Sequence, residues 1–274
     1  MSNLVQNNIV IQGDAVQLKG LGERLRKDGL KFEDYIPIPP SLRLDESSAT
    51  DDALVYAISK KHGTQVEYIP LELLRIVDRY GFSGIIDRDG ELQPNAQLGW
   101  NKRLERAERR GKIFVVSPKP PFEYPKNFTE DERNDTEFAK IGYTAYHNLF
   151  NYGYKTWFDW CYAKWGTKWD ADNVAFDIQS DFIQISFHTA NGCPDGVLGA
   201  ITEAYPGLSI TGVFADEDIG SNCGRIFASD GHCKLDAMTR CEDSIRFACE
   251  VWGYDPEEYL NDEDEDESIE WPKY

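Results

Sequence analysis

The sequence predicts an α+β fold: a ferredoxin-like split β-α-β sandwich carrying a large helical insertion and an acidic C-terminal tail. Three observations lead there. The chain opens with a strand pattern followed by a helix pattern; after Gly166 the order is strand, strand, helix, strand; and the stretch between them reads as helical. With the insertion set aside, the order β-α then β-β-α-β is that of the split β-α-β arrangement. At 274 residues, the chain is long enough for one large domain or two modest ones.

The first strand is the β-branched run Ile9, Val10, Ile11 within residues 8–12, closed by Gly13 and Asp14. Val16, Leu18, Leu21 and Leu25 then recur at near-helical spacing up to Gly29. Pro37, Pro39 and Pro40 in FEDYIPIPPS remove backbone donors and bar an α-helix, so an extended connection is expected. These residues, 1–40, form the first part of the sandwich.

Residues 41–153 are the expected insertion, helical from about Thr50 to Phe150 in several short segments. Asp51 or Asp52 can cap the first; Pro70 opens the second, with Leu71, Leu74, Val77 and Tyr80 as its stripe and Gly81 as its stop. The third, Leu98 to Gly111, carries Lys102, Arg103, Arg106, Arg109 and Arg110 around a thin stripe of Trp100, Leu104 and Ala107. It is a basic island in an acidic chain. Without interleaved aromatics it reads as a solvated face on which Glu105 meets Arg109 and Glu108 meets Lys112. Four prolines, at 118, 120, 121 and 125, mark an extended segment, and a last helix from about Asp135 to Phe150 turns Phe138, Ile141, Ala145 and Leu149 to one side.

Residues 154–254 complete the sandwich. Trp157, Trp160, Cys161 and Trp165 fall on one side of a helix ended by Gly166, a structural anchor rather than a ligand platform. Val174, Phe176 and Ile178, then Ile183, Ile185 and Phe187, alternate with polar residues about a turn at Ser180-Asp181, which makes a hairpin. Pro194 begins a helix with Val197, Leu198 and Ile201 inward; Pro206-Gly207 breaks it before a strand through Leu208, Ile210 and Val213. Residues 224–228 and 233–238 are two short strands about Asp230-Gly231, and residues 244–252 a closing helix.

The segment WFDWCYAKWGTKWD, the hairpin with ISFHTANGCP, and the strand pair around GVFADEDIGSNCG resemble the YubB-like proteins of phages and conjugative plasmids. The opening residues and FEDYIPIP also look like that family's N-terminal portion. The resemblance implies a ferredoxin-like C-terminal region and a mobile-element setting. It brings no catalytic residues with it.

Charge bounds the function. Lys and Arg number 29 against 48 Asp and Glu, a net charge of −19, which opposes any protein that neutralises nucleic-acid phosphates over its surface. No apolar run nears the roughly 18 residues of a membrane span, and the start lacks the basic-then-apolar order of an export signal, so a cytoplasmic protein is expected. Residues 255–274 hold ten acids and one base, with Asp262, Glu263, Asp264, Glu265, Asp266 and Glu267 in an unbroken run. Such a block repels itself and reads as a solvated tail.

The six cysteines read as thiols, because the closest pair, Cys241 and Cys249, is too far apart for a C-x-x-C chelate. His232 and Cys233 with Cys223 are the one constellation with any metal character, and small buried thiols are the simpler account. No metal or cofactor is expected. Asp87, Asp89 and Gly90 imitate a calcium loop only in part, because its twelfth position falls on Ala96. No recurring catalytic motif occurs, and His62, His147, His188 and His232 lie in separate segments.

The functional expectation is therefore a non-enzymatic, acidic interaction protein of a phage or plasmid, of the counter-defence kind (anti-CRISPR or anti-restriction), that occludes a basic nucleic-acid-binding host protein. Its binding acids would be the run 262–267 and the loop of Asp216, Glu217 and Asp218, with no direct nucleic-acid or membrane contact. The alternative is a metal-dependent or nucleotide-acting enzyme whose acids converge only in three dimensions.

Overall fold

The computed structural model describes residues 2–51, 53, 54, 57, 85, 86, 92, 93, 113, 114 and 136–260. It divides into two compact units, Met1–Ile38 with Phe158–Tyr274, and Pro39–Trp157. In chain order the elements are β1 (Leu4–Gly13), α1 (Ala15–Asp28), β2 (Ile85–Ile86), β3 (Leu92–Gln93), β4 (Ile113–Phe114), α2 (Thr136–Tyr152) and α3 (Trp157–Trp165). They continue with β5 (Asp172–Ile178), β6 (Phe182–Ala190), α4 (Asp195–Ala204), β7 (Leu208–Asp216), β8 (Cys223–Ser229), β9 (His232–Ala237) and α5 (Glu242–Trp252).

In the first unit six antiparallel strands lie in the order β5-β6-β1-β7-β8-β9. The run β5-β6-β1-β7 is the ferredoxin-like order, and the β8-β9 hairpin widens it. Alternation gives the sheet two unlike faces. On one, Ile9, Ile11, Ile183, Ile185, Phe187, Ile210, Phe214 and Ile226 are buried beneath α1 and α4, which contribute Leu18, Leu21, Leu25, Val197, Leu198 and Ile201. Asp14 starts α1 by accepting the backbone N–H groups of Val16 (3.1 Å) and Gln17 (2.9 Å). Val16, expected in the apolar stripe, is 79% exposed. Two residues of helix rotate it about 200° from Leu18, so it points to solvent.

The tryptophan segment is an anchor in fact. Trp160 and Trp165 are buried and meet edge to face at 6.2 Å; Phe32 lies edge-on to both Trp165 (5.7 Å) and Phe187 (6.3 Å). The Trp165 indole N–H donates to the Ile36 carbonyl (2.9 Å), and an Asp170 carboxylate oxygen accepts the N–H groups of Phe32 (2.9 Å) and Ala171 (2.8 Å). The proline-containing connection is accordingly ordered. It holds two single 3-10 turns, Phe32–Asp34 and Pro40–Leu42, where an extended path was expected. Proline bars a continuing α-helix but suits the first position of one turn.

Two segments that carried the sequence resemblance meet here, backbone to backbone. Gly166 ends α3 with φ +88°, and a Cβ there would run into the Cys193 carbonyl; a Cβ on Gly196, in α4, would run into the Lys164 carbonyl. Thr167 fastens the crossing, its hydroxyl donating to Ala190 O (2.8 Å) and accepting from Ala190 N–H (3.1 Å). WGT and NGCPDG are thus a packing motif.

In the second unit, residues 48–51, 53, 54 and 57 are helical and α2 runs with Phe138, Ala145, Tyr146 and Leu149 buried. A Cβ on Gly142 would collide with Ala53 O, so the two helical segments touch through backbone. Three strands in the order β3-β2-β4 also occur, in a stretch where short helical segments and no strands were expected. Strands of two residues are too short to register in any periodicity window. The helix led by Pro70, the basic helix 98–111, the proline-rich segment, His62, and the loop of Asp87 and Asp89 lie outside the described residues.

Two outcomes follow for stability. Gly196→Ala should cost about 2 kcal/mol in urea unfolding, because overpacking at the crossing outweighs alanine's better helix propensity; stability equal to or above the parent would refute the contact. Burial holds the Asp170 carboxyl above the ordinary 3.8, outweighing the two N–H bonds that favour its charge. Its contribution is therefore fully present below the unfolded value and lost as pH rises through the folded one. Asp170→Asn, which keeps the accepting oxygen, should match or exceed the parent at pH 7, with the difference closing toward pH 3.5.

Candidate interaction face

The second face of the six-stranded sheet can be read as rows running across the strands, because register fixes which residues stand side by side. The first row is His188, Gln6, Ala215 and Cys223, continued by Met238. Helix α5 lies over this row, with Ile245, Ala248 and Cys249 packed on Ala215, Ile219 and Cys223. Two polar contacts seat it. The Trp252 indole N–H is shared between Ala215 O (3.1 Å) and Asp216 O (3.0 Å), and the Ser244 hydroxyl donates to Gly220 O (2.9 Å).

The remaining rows are open except beside α5, where Arg225 stacks on the Phe247 ring at 5.6 Å and, with Asp236, borders Asp243, Arg246 and Glu250. Next come Ala175, Ser186, Asn8, Val213, Arg225 and Asp236; then Asp177, Gln184, Val10, Thr211, Phe227 and Lys234; then Phe182, Gln12, Ser209, Ser229 and His232. Amides tie the covered and open parts together: Gln6 Oε1 is 2.7 Å from His188 Nε2, while Gln6 Nε2 donates to Ser186 Oγ (2.8 Å) and Asn8 Oδ1 (3.0 Å). At the rim, rings follow one another from His188 to Trp252 (5.5 Å), then to Tyr254 and Tyr259, each 5.9 Å further and within 15° of parallel. Tyr259 and Leu260 pack on the core under α5, and residues 256–260 are helical. Residues 256–260, expected to belong to a solvated tail, are therefore helical and packed, and residues 261–274 lie outside the described residues.

The acidic loop divides. Asp216 is only 5% exposed, and its carboxylate accepts Asn3 Nδ2 (3.0 Å), Asn222 Nδ2 (3.1 Å) and the Asp218 N–H (3.0 Å). It cannot belong to an exposed binding surface; it closes the turn after β7 onto the chain's start. Glu217 and Asp218 are exposed, with Asp218 paired to Arg240 at 3.5 Å. The run Asp262 to Glu267 lies outside the described residues.

The cysteine constellation is split by the sheet. Cys223 sits under α5, whereas Cys233 stands beside Ala228 on the opposite face. Burial pushes the Cys233 thiol up to about 12 and raises Cys193 as well, which keeps both protonated. Among the described residues no group of three or more His, Cys, Asp or Glu side chains is placed to hold a metal ion.

One cluster carries no local signal in the sequence. In the second unit Lys155 Nζ donates to Asp51 (2.6 Å) and to Glu46, Thr156 donates its hydroxyl to Glu46, and Asn148 Nδ2 donates to Ser41 O (2.7 Å) and Lys155 O (3.0 Å). Lys155 and Asp51 stand 104 residues apart, so no spacing motif could reveal them. Burial opposes the ammonium charge, but hydrogen bonds from Lys155 to Asp51 and Glu46 outweigh it and hold the Lys155 pKa above 10.5. A nucleophilic or basic lysine needs the reverse shift, so this is a clamp. Its stabilisation is present below pH 10.5 and lost as pH rises through the elevated value. Lys155→Met should cost about 3 kcal/mol at pH 7 by removing the cation shared by the Asp51 and Glu46 carboxylates; unchanged urea unfolding would show that the clamp contributes nothing.

Charge is distributed against the open face. Residues 158–260 carry eighteen acids and six bases, yet the open rows hold two of each, Asp177 and Asp236 with Arg225 and Lys234. Among the described residues, no helix is long and apolar enough to cross a membrane.

Residues 164–269 match the family described as the ferredoxin-like domain in Api92-like protein. This agrees with the ferredoxin-like C-terminal region expected from sequence, although the family so matched is the Api92-like one and not the YubB-like one. Among solved structures, the crystal structure of a protein api92 from Yersinia pseudotuberculosis is similar over 87% of this chain and 99% of that chain, with 8% identity and a TM-score of 0.38. No curated protein matches the chain.

Proposed function

We propose that this chain is a non-enzymatic, acidic interaction protein that binds a basic, nucleic-acid-binding protein and occludes the surface that would hold its nucleic acid. The observation that carries this reading is the charge: −19 overall, with eighteen acids against six bases in residues 158–260. Many of those acids, Glu217, Asp230, Asp243, Glu250 and Glu258 among them, are exposed on loops and helices, where they can meet a partner. A field of that sign draws basic clefts toward it and raises the encounter rate well above that of a neutral pair. The acid run 262–267, six charges in six residues, would extend the same field. The resemblance to YubB-like proteins of phages and plasmids supplies the setting: a host cytoplasm, and a counter-defence role of the anti-CRISPR or anti-restriction kind against a host nuclease complex.

The test begins with affinity capture from host lysate and mass spectrometry, followed by binding kinetics of the captured partner. Exposed charges are screened beyond about 8 Å at physiological ionic strength. Raising NaCl from about 50 to 500 mM should therefore slow association at least tenfold. Changing the six acids at 262–267 to their amides should slow association more than it speeds dissociation, and leaves Tyr259 and Leu260 in their packing. An association rate indifferent to both salt and amidation would overturn the reading.

A further inference from the structure

We infer that the free edge of β9 is a self-pairing strand, through which two copies of this chain join their sheets edge to edge, antiparallel, about a two-fold axis perpendicular to the sheet at Leu235. Hydrogen-bond direction comes first. Asp230 (φ +51°) and Gly231 (φ +78°) make a two-residue hairpin loop between β8 and β9, so Ser229 and His232 are a hydrogen-bonded pair. Pairs alternate from there. His232, Lys234 and Asp236 turn their backbone groups to β8, and the Met238 N–H continues the phase by donating to Cys223 O (2.9 Å). Cys233, Leu235 and Ala237 turn theirs outward, where among the described residues they meet no backbone partner. A second β9, antiparallel and centred on Leu235, meets them group for group: Leu235 pairs with Leu235 of the second copy, and Cys233 with Ala237 of the second copy, two bonds to each pair.

Charge selects a second copy as the occupant. The positions between those pairs are the non-hydrogen-bonded ones, where opposed side chains stand closest, at about 4.5 Å between Cα atoms. There Lys234 meets Asp236 of the second copy, and the same ion pair forms twice, as an isologous interface requires. Both side chains are exposed, and among the described residues neither has an ion-pair partner in its own chain. Sliding the strands either way sets Lys234 against Lys234 or Asp236 against Asp236. A regular edge strand needs a partner or a guard. The far edge is guarded, because β5 is broken by a bulge between Asp172 and Ala175, with Asn173 at φ +48°. β9 has neither bulge nor proline, and the charge of Lys234 is cancelled two residues on. Edge pairing also keeps α5 out of the join, since it is anchored inboard on Gly220 O, Ala215 O and Asp216 O. On the other face α4 packs on β7 and β8 as well as β9. An axis over β8, or midway between β8 and β9, lies roughly 14 or 10 Å from its counterpart, at or beyond ordinary helix spacing. Two chains of charge −19 repel, and a strand pair about 20 Å long is smaller than a standard interface, so the dimer is weak and reversible.

Edge pairing is independent of the basic partner and is measured without it. Sedimentation velocity of the full chain in about 150 mM NaCl, from about 1 to 500 µM, should show a monomer–dimer equilibrium. Lys234→Asp and Asp236→Lys should each weaken it about tenfold, because each sets like charges opposite one another twice. Mixed in equal amounts, the two variants should form a heterodimer of parental strength, each acid again facing a base. Asp236→Lys lowers the net negative charge, so a merely colloidal effect would strengthen association where the edge pair predicts weakening. Ala237→Pro removes an outward N–H and spares the bonds to β8, so it should abolish the dimer with urea unfolding close to the parent. In hydrogen exchange, raising the concentration should slow the Cys233, Leu235 and Ala237 amides and leave those of His232, Lys234 and Asp236 unchanged. A chain that stays monomeric across the range, or a dimer indifferent to the charge reversals and to Ala237→Pro, overturns the inference. Either result leaves the salt-weakened complex with a basic partner standing or falling by its own test.

Discussion

The first unit depends on one constraint: the strand at the start of the chain is central in the sheet. Strand β1 pairs with β6 through residues 182–190 and with β7 through residues 208–216, so the sheet closes only when the first thirteen residues meet segments 170 to 211 positions later. Val5, Ile9 and Ile11 are fully buried because they have strands on both sides and helices above. Nothing local could hold them there. The contacts that close the ends serve the same join: Asp216 accepts Asn3, the Glu217 N–H donates to Leu4 O (2.8 Å), and Asp14 N–H donates to Gly207 O (3.0 Å). The acids named as a binding loop therefore begin with one that fastens the sheet.

Because β1 sits in the middle, its alternation sets both faces. One side of each strand meets α1 and α4 and must be apolar; the other meets α5 over one row and at Arg225 of the next and is otherwise solvated, so it is built largely of Ser, Thr, Asn and Gln with isolated apolar residues. The consequence for function is spatial. The exposed acids crowd helices and loops, while the open rows hold balanced charge, which leaves one molecule with two surfaces of different character.

The segments richest in unusual residues turned out to be structural. Trp160, Trp165 and Phe32 interlock, and the glycines at 166 and 196 let α3 and α4 touch through backbone where any side chain would intrude. The same holds for the half-buried Lys155, whose two carboxylate partners keep it charged and so remove it from nucleophilic chemistry.

Read by itself, the sequence determined the kinds of element and their order, because strand and helix periodicities are local: the hairpin at 174–187, the helix after Pro194 and the helix closed by Gly166 all lie where spacing puts them. It also determined the charge. It could not show the three two-residue strands of the second unit, which are shorter than any pattern. The tertiary structure alone decided the strand order, the face left open, the burial of Asp216 and the meeting of Lys155 with Glu46 and Asp51. Each of these depends on at least one contact across a hundred or more residues, and side-chain identity at one end carries no information about what the folded chain brings to the other.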